Sequence, residues 1–335
     1  MAIKIGINGL GRIGRSVARA IVEEGYDDIQ LVAVNGSPSV EDPSHLLQYD
    51  SVHGRFRNKI TFDGAHLDMG RGKIAVTQER DPKKLDWAKY GADIVLECTG
   101  VFNSKEKASV HLGQGAKKVL ISAPAGEDCP TFVYGVNCDQ LTVAHDVFSI
   151  GSCTTNALAP LAKTLDARFG IESGFMTTVH AYTGDQNLVD GSHKDMQRAR
   201  AAALSMVPSK TGAAKAIGLV LPQLKGKLDG VSIRVPVPNV SLVDLKVVVK
   251  QATTKEAVNA ALKEASAAML PNVLKINEVP LVSIDFSHDN GSSIVNLLDT
   301  KVIGGNLVRV SSWYDNEWGF SCRMLDMVRK AARLG

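Results

Sequence analysis

Ser152-Cys153-Thr154-Thr155-Asn156 places a thiol where a strand-like run, Val147 to Ile150, gives way to a helical pattern. Leu158, Leu161, Ala162, Leu165 and Phe169 recur at helical spacing, so Cys153 falls in the first turn of a helix. The amides of a first turn carry partial positive charge and lack partners within the helix. They favour thiolate over thiol and suit a developing oxyanion, an arrangement for attack on a carbonyl. The same spacing also describes a buried, inert cysteine. Farther along, Phe175-Met176-Thr177-Thr178-Val179 reads as a strand ending in His180, whose imidazole can take and return a proton near neutral pH. Spacing does not pair the two side chains; only a fold can.

Three further stretches could hold anions. Tyr182 to Met206 is long, polar and poorly periodic, with Arg198 and Arg200 near its end, and reads as a functional or a solvated loop. Thr211-Gly212 precedes a helical pattern through Ala214, Ile217, Leu219 and Leu221, so a hydroxyl, backbone amides and the helix dipole converge there. Arg234 interrupts the apolar strand Val231 to Val235, where an unpaired charge is costly, so an anionic ligand or an acidic partner must be near.

The elements that position these residues begin with the apolar run Ile3 to Ile7. It leads into Asn8-Gly9-Leu10-Gly11-Arg12-Ile13-Gly14, followed by Val17, Ala20 and Ile21 at helical spacing. This is GxGxxG between strand and helix: Gly9 permits the tight turn, Gly11 lets a pyrophosphate approach, and Gly14 allows helix to pack on strand. Further strands at Ile29 to Asn35, Ile94 to Cys98, Val119 to Ala123 and Val147 to Ile150 give a doubly wound parallel sheet. Ligands lie beyond the C-terminal ends of such strands, which puts Asn35-Gly36-Ser37, Thr99-Gly100 and Ser122 near a cofactor. An NAD site offers a carboxylate about 20 residues after the last glycine; here Gly36 and Ser37 stand there. That leaves room for NADP, although Glu41 and Asp42 could fold back to serve NAD.

With 335 residues the chain exceeds the ~250–300 at which one core stops growing, so two domains are expected. Its net charge of +3 gives no reason to propose nucleic acid or membrane as a dedicated partner. The start lacks a signal-peptide pattern and no apolar run reaches a membrane span, so the expectation is a cytoplasmic protein. Five cysteines without paired spacing read as reduced thiols, with no metal site. Strands at Ser241 to Lys250 and Leu307 to Trp313, with a helix around Lys255 to Ala268, complete an α+β second half with a mostly antiparallel sheet. The expected class is thus α/β: a Rossmann-like dinucleotide-binding domain over 1–151, an α+β catalytic domain over 152–316, and a C-terminal helix within 317–335 packing back on the first domain.

Together these stretches resemble the phosphorylating (type I) glyceraldehyde-3-phosphate dehydrogenase family over the whole chain. The matching motifs are INGLGRIGR from Ile7, YDSVHGRF from Tyr49, ECTGVF from Glu97, SCTTNALAP from Ser152, TTVHAYTGDQ from Thr177, RARAAALSMVP from Arg198, KTGAAKA from Lys210, RVPVPNVS from Arg234 and WYDNEWGF from Trp313. The resemblance implies a Cys153 nucleophile activated by His180, hydride transfer to NAD or NADP, and phosphorolysis of a thioester to 1,3-bisphosphoglycerate. It implies that Thr183 and Arg234 hold the phosphate of glyceraldehyde 3-phosphate, that Ser152, Thr154, Thr211 and Gly212 hold inorganic phosphate, and that Arg198 serves one or both. It places the backbone of Arg12 and Ile13 near the pyrophosphate, Arg80 and Ser122 along the cofactor, and Asn316 at the nicotinamide carboxamide. A homotetramer is expected, in which Ser192, within Gly191-Ser192, could meet the 2′-phosphate of a neighbouring subunit's cofactor. Gly36 stands where NAD-using members carry aspartate, and Ala157 where many carry a second cysteine. Erythrose-4-phosphate dehydrogenase is the nearest alternative in the superfamily, although it lacks the Tyr182-Thr183-Gly184-Asp185-Gln186 pattern. A catalytically silent cofactor-binding or RNA-binding protein is the alternative from another class.

Overall fold

The computed structural model describes residues 2–37 and 39–334; Met1, Pro38 and Gly335, the first and last of which bound the expected domain ranges, lie outside it. The chain divides into two compact units. One comprises the residues up to Phe132, Cys138–Ser152 and the C-terminal stretch from Ser321; the other comprises Val133–Asn137 and Cys153–Phe320.

The first unit is built on strands β1 (Ile3–Asn8), β2 (Ile29–Asn35), β3 (Lys73–Thr77), β4 (Ile94–Glu97), β5 (Lys118–Ile121) and β6 (Val147–Ser149), with helix α1 (Arg12–Glu23) joining β1 to β2. Their order across the sheet is β6-β5-β4-β1-β2-β3, every neighbouring pair parallel. Two short strands, His66–Asp68 and Thr61–Phe62, continue the β3 edge antiparallel. This is the 3-2-1-4-5-6 order of dinucleotide-binding sheets, in which the reversal between β1 and β4 opens a crevice at the strand ends. The strands are apolar because both faces are covered: Ile94 to Glu97 and Lys118 to Ile121 are buried throughout. Strand β3 was not recognised in the sequence, where Lys73 to Thr77 is short and lies amid polar turns.

The turn from β1 to α1 shows why its glycines are needed. Gly9 has φ +101°, and a Cβ there would lie 2.7 Å from the Thr99 nitrogen. At Gly14 a Cβ would lie 1.9 Å from the Gly9 carbonyl oxygen. From Ser321 onward, helix α5 (Trp318–Ala332) belongs to the first unit, where Tyr26 Oη donates to the Cys322 carbonyl at 3.2 Å and Arg329 pairs with Asp28.

Asp50 shows how a polar group is held beside the turn. Burial alone would raise its pKa, but the Arg12 guanidinium at 2.6 Å and the amides of His53 and Val52 pull it down to about 2. A carboxyl depressed on folding stabilises the protein above its ordinary value, and that stability is lost as pH falls towards about 2. Asp50→Asn is therefore expected to cost about 2 kcal/mol at pH 7. Urea unfolding should show the difference from wild type shrinking steadily below pH 4.

In the second unit, α2 (Cys153–Phe169) runs beneath a sheet made of β7 (Ile171–Ala181), β8 (Val207–Lys210), β9 (Leu228–Val235), β10 (Ser241–Val249), β11 (Leu274–Asn277), β12 (Ser293–Asn296) and β13 (Leu307–Tyr314), with the short strand Lys301–Ile303 paired antiparallel to β13. Helices α3 (Ala213–Val220) and α4 (Lys255–Ala268) complete it, together with the start of α5. The order is β8-β9-β7-β10-β13-β12-β11, with only β7–β9 and β11–β12 parallel. Strand β10 alternates buried and half-buried residues along its whole length, the period-two pattern of a sheet with one face on the core. Leu158, Leu161, Ala162 and Leu165 of α2 meet Val243, Leu245 and Val247 in that core. In α3 the apolar stripe differs from its expected course: Leu219 is exposed, and Val220 is buried instead.

Candidate active site

Strand β6 ends at Ser149, Gly151 turns with φ +74°, and α2 starts at Cys153. The thiol is thus held at a helix start by the same strand-turn-helix device as the glycine-rich turn. Parallel pairing of β7 with β9 sets His180 opposite Arg234 and Thr178 opposite Ser232. Cys153 Sγ lies 3.6 Å from His180 Nε2.

The tautomer of His180 follows from its other nitrogen. Nδ1 is 2.7 Å from the Ala181 carbonyl oxygen, which can only accept, so Nδ1 carries the proton and Nε2 presents a lone pair to the thiol. Burial, with Arg234 next, pushes the imidazole down to about 3, so the ring rests neutral. Burial also pushes the Cys153 thiol up, while Arg234 and hydrogen bonding with Thr154 pull it down. The net direction corrects the expectation from the helix start alone: desolvation outweighs the first-turn amides, and the resting pair is a thiol facing a neutral base. Proton transfer between them creates a thiolate beside an imidazolium, whose mutual attraction offsets part of that desolvation. Iodoacetamide alkylation tests this balance. Arg234→Ala should move its pH midpoint upward and slow it at pH 7 by roughly three- to tenfold.

Arg234 donates to the Ala181 carbonyl at 3.3 Å and to Thr183 Oγ1 at 3.1 Å, and its Nε is buried without a partner. No carboxylate stands within ion-pair distance of it among the described residues. Of the two explanations for a charge in this strand, no acidic partner in ion-pair contact is supplied among the described residues, and Asp185 acts on Arg234 only through its field. Arg198 instead pairs with Asp185 and donates from Nε to Ser209 Oγ at 2.8 Å, with its charge felt at both His180 and Arg234. Thr211 Oγ1 accepts from the Ala213 amide at 3.2 Å, and Gly212 caps α3. Among the described residues no hydrogen bond joins that pair to Cys153.

Sequence reading missed Tyr314 and Thr178. Tyr314 Oη lies 2.8 Å from both Thr154 Oγ1 and Thr178 Oγ1, and so ties the helix start to the histidine strand. Thr178 had a signal: it lies two residues before His180 on a strand, hence on the same face. Asn316 is buried, with Oδ1 accepting from Ser241 Oγ at 2.9 Å. Next to it, Asp315 accepts from the Asn239 side chain and from the amides of His288, Glu317 and Trp318, which fixes the start of α5.

The first unit holds a cavity of about 570 Å³ lined by Gly9, Gly11, Asn35, Gly36, Ser37, Arg80 and Thr99. Arg15, which the sequence did not single out, also lines it. A Cβ at Gly11 would meet nothing within 4 Å, and no side chain caps the first amides of α1, so both backbone and donors are open to a ligand. The site fits a dinucleotide. Neither Glu41 nor Asp42 lines the cavity; Asp42 turns instead to the amide and hydroxyl of Ser44. Glu79 does line it, and its Oε1 accepts from the Asp81 amide. The Asn35 side chain is fully engaged with Asn8, Thr77 and Glu79. Arg12 directs its guanidinium to Asp50, and neither Arg12 nor its half-buried neighbour Ile13 lines the cavity. Ser122 lies outside the lining, with its side chain on Cys98. Ser152 is half-buried immediately before Cys153, and Ser192 is exposed on the 182–206 loop. Among the described residues no cluster could hold a metal ion, and no helix is long and apolar enough to cross a membrane.

Comparison with known proteins agrees along the whole length. The family profile described as glyceraldehyde 3-phosphate dehydrogenase, NAD binding domain, matches residues 3–105, and that of the C-terminal domain matches residues 152–316. Glyceraldehyde-3-phosphate dehydrogenase of Xanthobacter flavus is 56% identical over 335 residues, with both chains fully covered. That of Cereibacter sphaeroides is 56% identical over 334 residues, again with full coverage of both. Glyceraldehyde-3-phosphate dehydrogenase 1 of Bacillus subtilis is 52% identical over 336 residues, likewise fully covered. With an NAD-binding sheet, a cysteine–histidine pair and this similarity over its full length, the chain belongs to the glyceraldehyde-3-phosphate dehydrogenase family of oxidoreductases.

Proposed function

We propose that this enzyme oxidises glyceraldehyde 3-phosphate and captures the product with inorganic phosphate, as 1,3-bisphosphoglycerate, through a thioester on Cys153. The observation that carries the reading is Cys153 Sγ facing the lone pair of His180 Nε2 at 3.6 Å, with the unpartnered Nε of Arg234 on the paired strand. In the first step Sγ adds to the aldehyde carbon, and the thiol proton passes through His180 to the carbonyl oxygen. First-turn amides of α2 meet the negative charge that develops on that oxygen. His180 Nε2 then takes the hydroxyl proton of the thiohemiacetal as a hydride leaves its carbon. Bound NAD or NADP supplies the hydride acceptor. Phosphate attacks the resulting thioester, thiolate departs, and His180 returns the proton to sulfur.

Arg234 and Thr183 hold the substrate phosphate in this reading. Ser152, Thr154, Thr211 and Gly212 serve inorganic phosphate, and Arg198 stands between the two. The cavity lined by Gly9, Gly11, Gly36 and Ser37 takes the dinucleotide, with the backbone at Arg12, Ile13 and Gly14 and the side chains of Arg80, Thr99 and Ser122 serving it, and Asn316 is the residue for the nicotinamide carboxamide. Residues 1–151 with the helix in 317–335 form the cofactor domain, and 152–316 the catalytic domain. The enzyme works as a cytoplasmic homotetramer. NADP is accepted alone or beside NAD, with Ser192 contributing across the assembly.

Steady-state rates with glyceraldehyde 3-phosphate test the reaction class when measured with and without phosphate. Turnover should require phosphate and yield an acyl phosphate; a phosphate-independent rate that releases the free acid overturns the proposal. Substituting erythrose 4-phosphate should reduce kcat/KM by at least tenfold.

A further inference from the structure

Glu97 is 1% exposed at the end of β4, and no lysine or arginine stands within ion-pair distance of it among the described residues. Four donors hold it instead. Oε2 accepts from Asn8 Nδ2 at 2.6 Å and lies 3.0 Å from His111 Nε2. Oε1 accepts from the Thr99 amide at 2.8 Å and from the Thr99 hydroxyl. His111 is itself fully buried, and Trp87 Nε1 lies 3.1 Å from its Nδ1. An indole N–H can only donate, so Nδ1 is the acceptor and Nε2 must carry the proton. Trp87 thereby sets the tautomer that lets His111 donate to Glu97.

The chain of bonds continues to the cofactor cavity. Asn8 Oδ1 accepts from Asn35 Nδ2 at 2.8 Å, and Asn35 in turn binds the backbone of Glu79. Asn8, Asn35, Glu79 and Thr99 all line the cavity. Phe102, another lining residue, sets its ring edge-on to His111. Thr77 Oγ1 donates to Asn35 Oδ1 at 2.9 Å, so four neighbouring strands, β4, β1, β2 and β3, are joined side chain to side chain at their C-terminal ends.

We propose that Trp87, His111 and Glu97 are positioning residues for NAD(P): by fixing the direction of each hydrogen bond, they hold Asn8, Thr99 and Asn35 in the shape that binds the dinucleotide. The inference rests on the reading that this cavity is the NAD(P) site. It makes a specific claim about Glu97→Gln. An amide nitrogen at one oxygen position faces the Thr99 N–H, and at the other it faces Asn8 Nδ2 and the His111 Nε2–H. Moving the His111 proton to Nδ1 would turn Nε2 into an acceptor and relieve the His111 part of the second clash, leaving only that with Asn8 Nδ2, but the Trp87 indole blocks that move. Removing the indole N–H should therefore rescue part of the loss.

The test is titration of NAD into the cofactor-free protein. Glu97→Gln should raise Kd about tenfold, the scale of a lost buried hydrogen bond to a charged group. In the Trp87→Phe background the same substitution should raise it threefold or less. Losses that simply add, or a Glu97→Gln protein that binds like wild type, overturn the relay. Should the double variant fail to fold, nitrogen-15 NMR of the wild type and Glu97→Gln decides. The wild type must show His111 protonated at Nε2 only, and the single substitution must shift the Trp87 indole resonance. Protonation at Nδ1 in the wild type, or an unmoved indole signal, overturns it. Gly11→Val separates the underlying reading, since undiminished NAD binding in that variant sinks the cavity assignment itself.

Discussion

Cys153→Ser is expected to lower kcat/KM for glyceraldehyde 3-phosphate by about four orders of magnitude or more, while the protein still binds NAD. A serine hydroxyl in the same place is a far weaker acid than a thiol, and His180 rests neutral with burial opposing its protonation. The ester it would form is also a poorer acyl donor to phosphate than a thioester. His180→Asn should cost less, about 10²- to 10⁴-fold, because the nucleophile and the first-turn amides remain and only proton transfer is lost. Its alkylation midpoint should move upward, since no base faces the thiol. The measurement is single-turnover acylation, which separates attack from phosphorolysis. A serine variant with wild-type acylation would remove the covalent step from the mechanism, and a histidine variant impaired only in phosphorolysis would reassign the base.

Gly36→Asp is the second large effect, and it falls on cofactor choice. A Cβ at Gly36 would find only Leu10 Cδ1, at 3.5 Å, an ordinary contact, so aspartate enters without moving the backbone. Its carboxylate would join the cavity wall at the end of β2, beside Ser37. Two like charges about 6 Å apart at an effective dielectric near 20 repel by roughly 3 kcal/mol, about two orders of magnitude in an equilibrium. kcat/KM with NADP should fall by about that much, while kcat/KM with NAD stays within a few-fold or improves. Steady-state comparison of both cofactors on wild type and variant decides. Equal losses with the two cofactors would mean that the substitution disturbs the cavity generally, and no loss with either would place the 2′-position elsewhere.

Local rules were legible where neighbouring residues decide the outcome. The Gly9 turn needs a positive φ, and Gly14 needs the absence of a Cβ 1.9 Å from the Gly9 carbonyl oxygen; both are set within the stretch from Gly9 to Gly14, where the turn enters the helix. Period-two burial in β10 and the start of α2 at Cys153 are local in the same sense. Leu219 shows the limit: a helical stripe read from spacing is uncertain by one position, and packing against the sheet selected Val220. Strand β3 is five residues long and gains its place from pairing with β2, which no local pattern announces.

The sequence by itself determined the chemistry on offer: a thiol at a helix start, a base at a strand end, anion-binding side chains and a glycine turn for a dinucleotide. Tertiary structure decided how these groups act. Strand register set His180 opposite Arg234, and the Ala181 carbonyl chose the tautomer that turns a lone pair towards sulfur. Burial, a property of the whole fold, pushes the Cys153 thiol up against the pull of the helix start and Arg234. Spacing along a chain fixes neither distance nor solvent exposure between residues far apart in sequence, and proton positions depend on both.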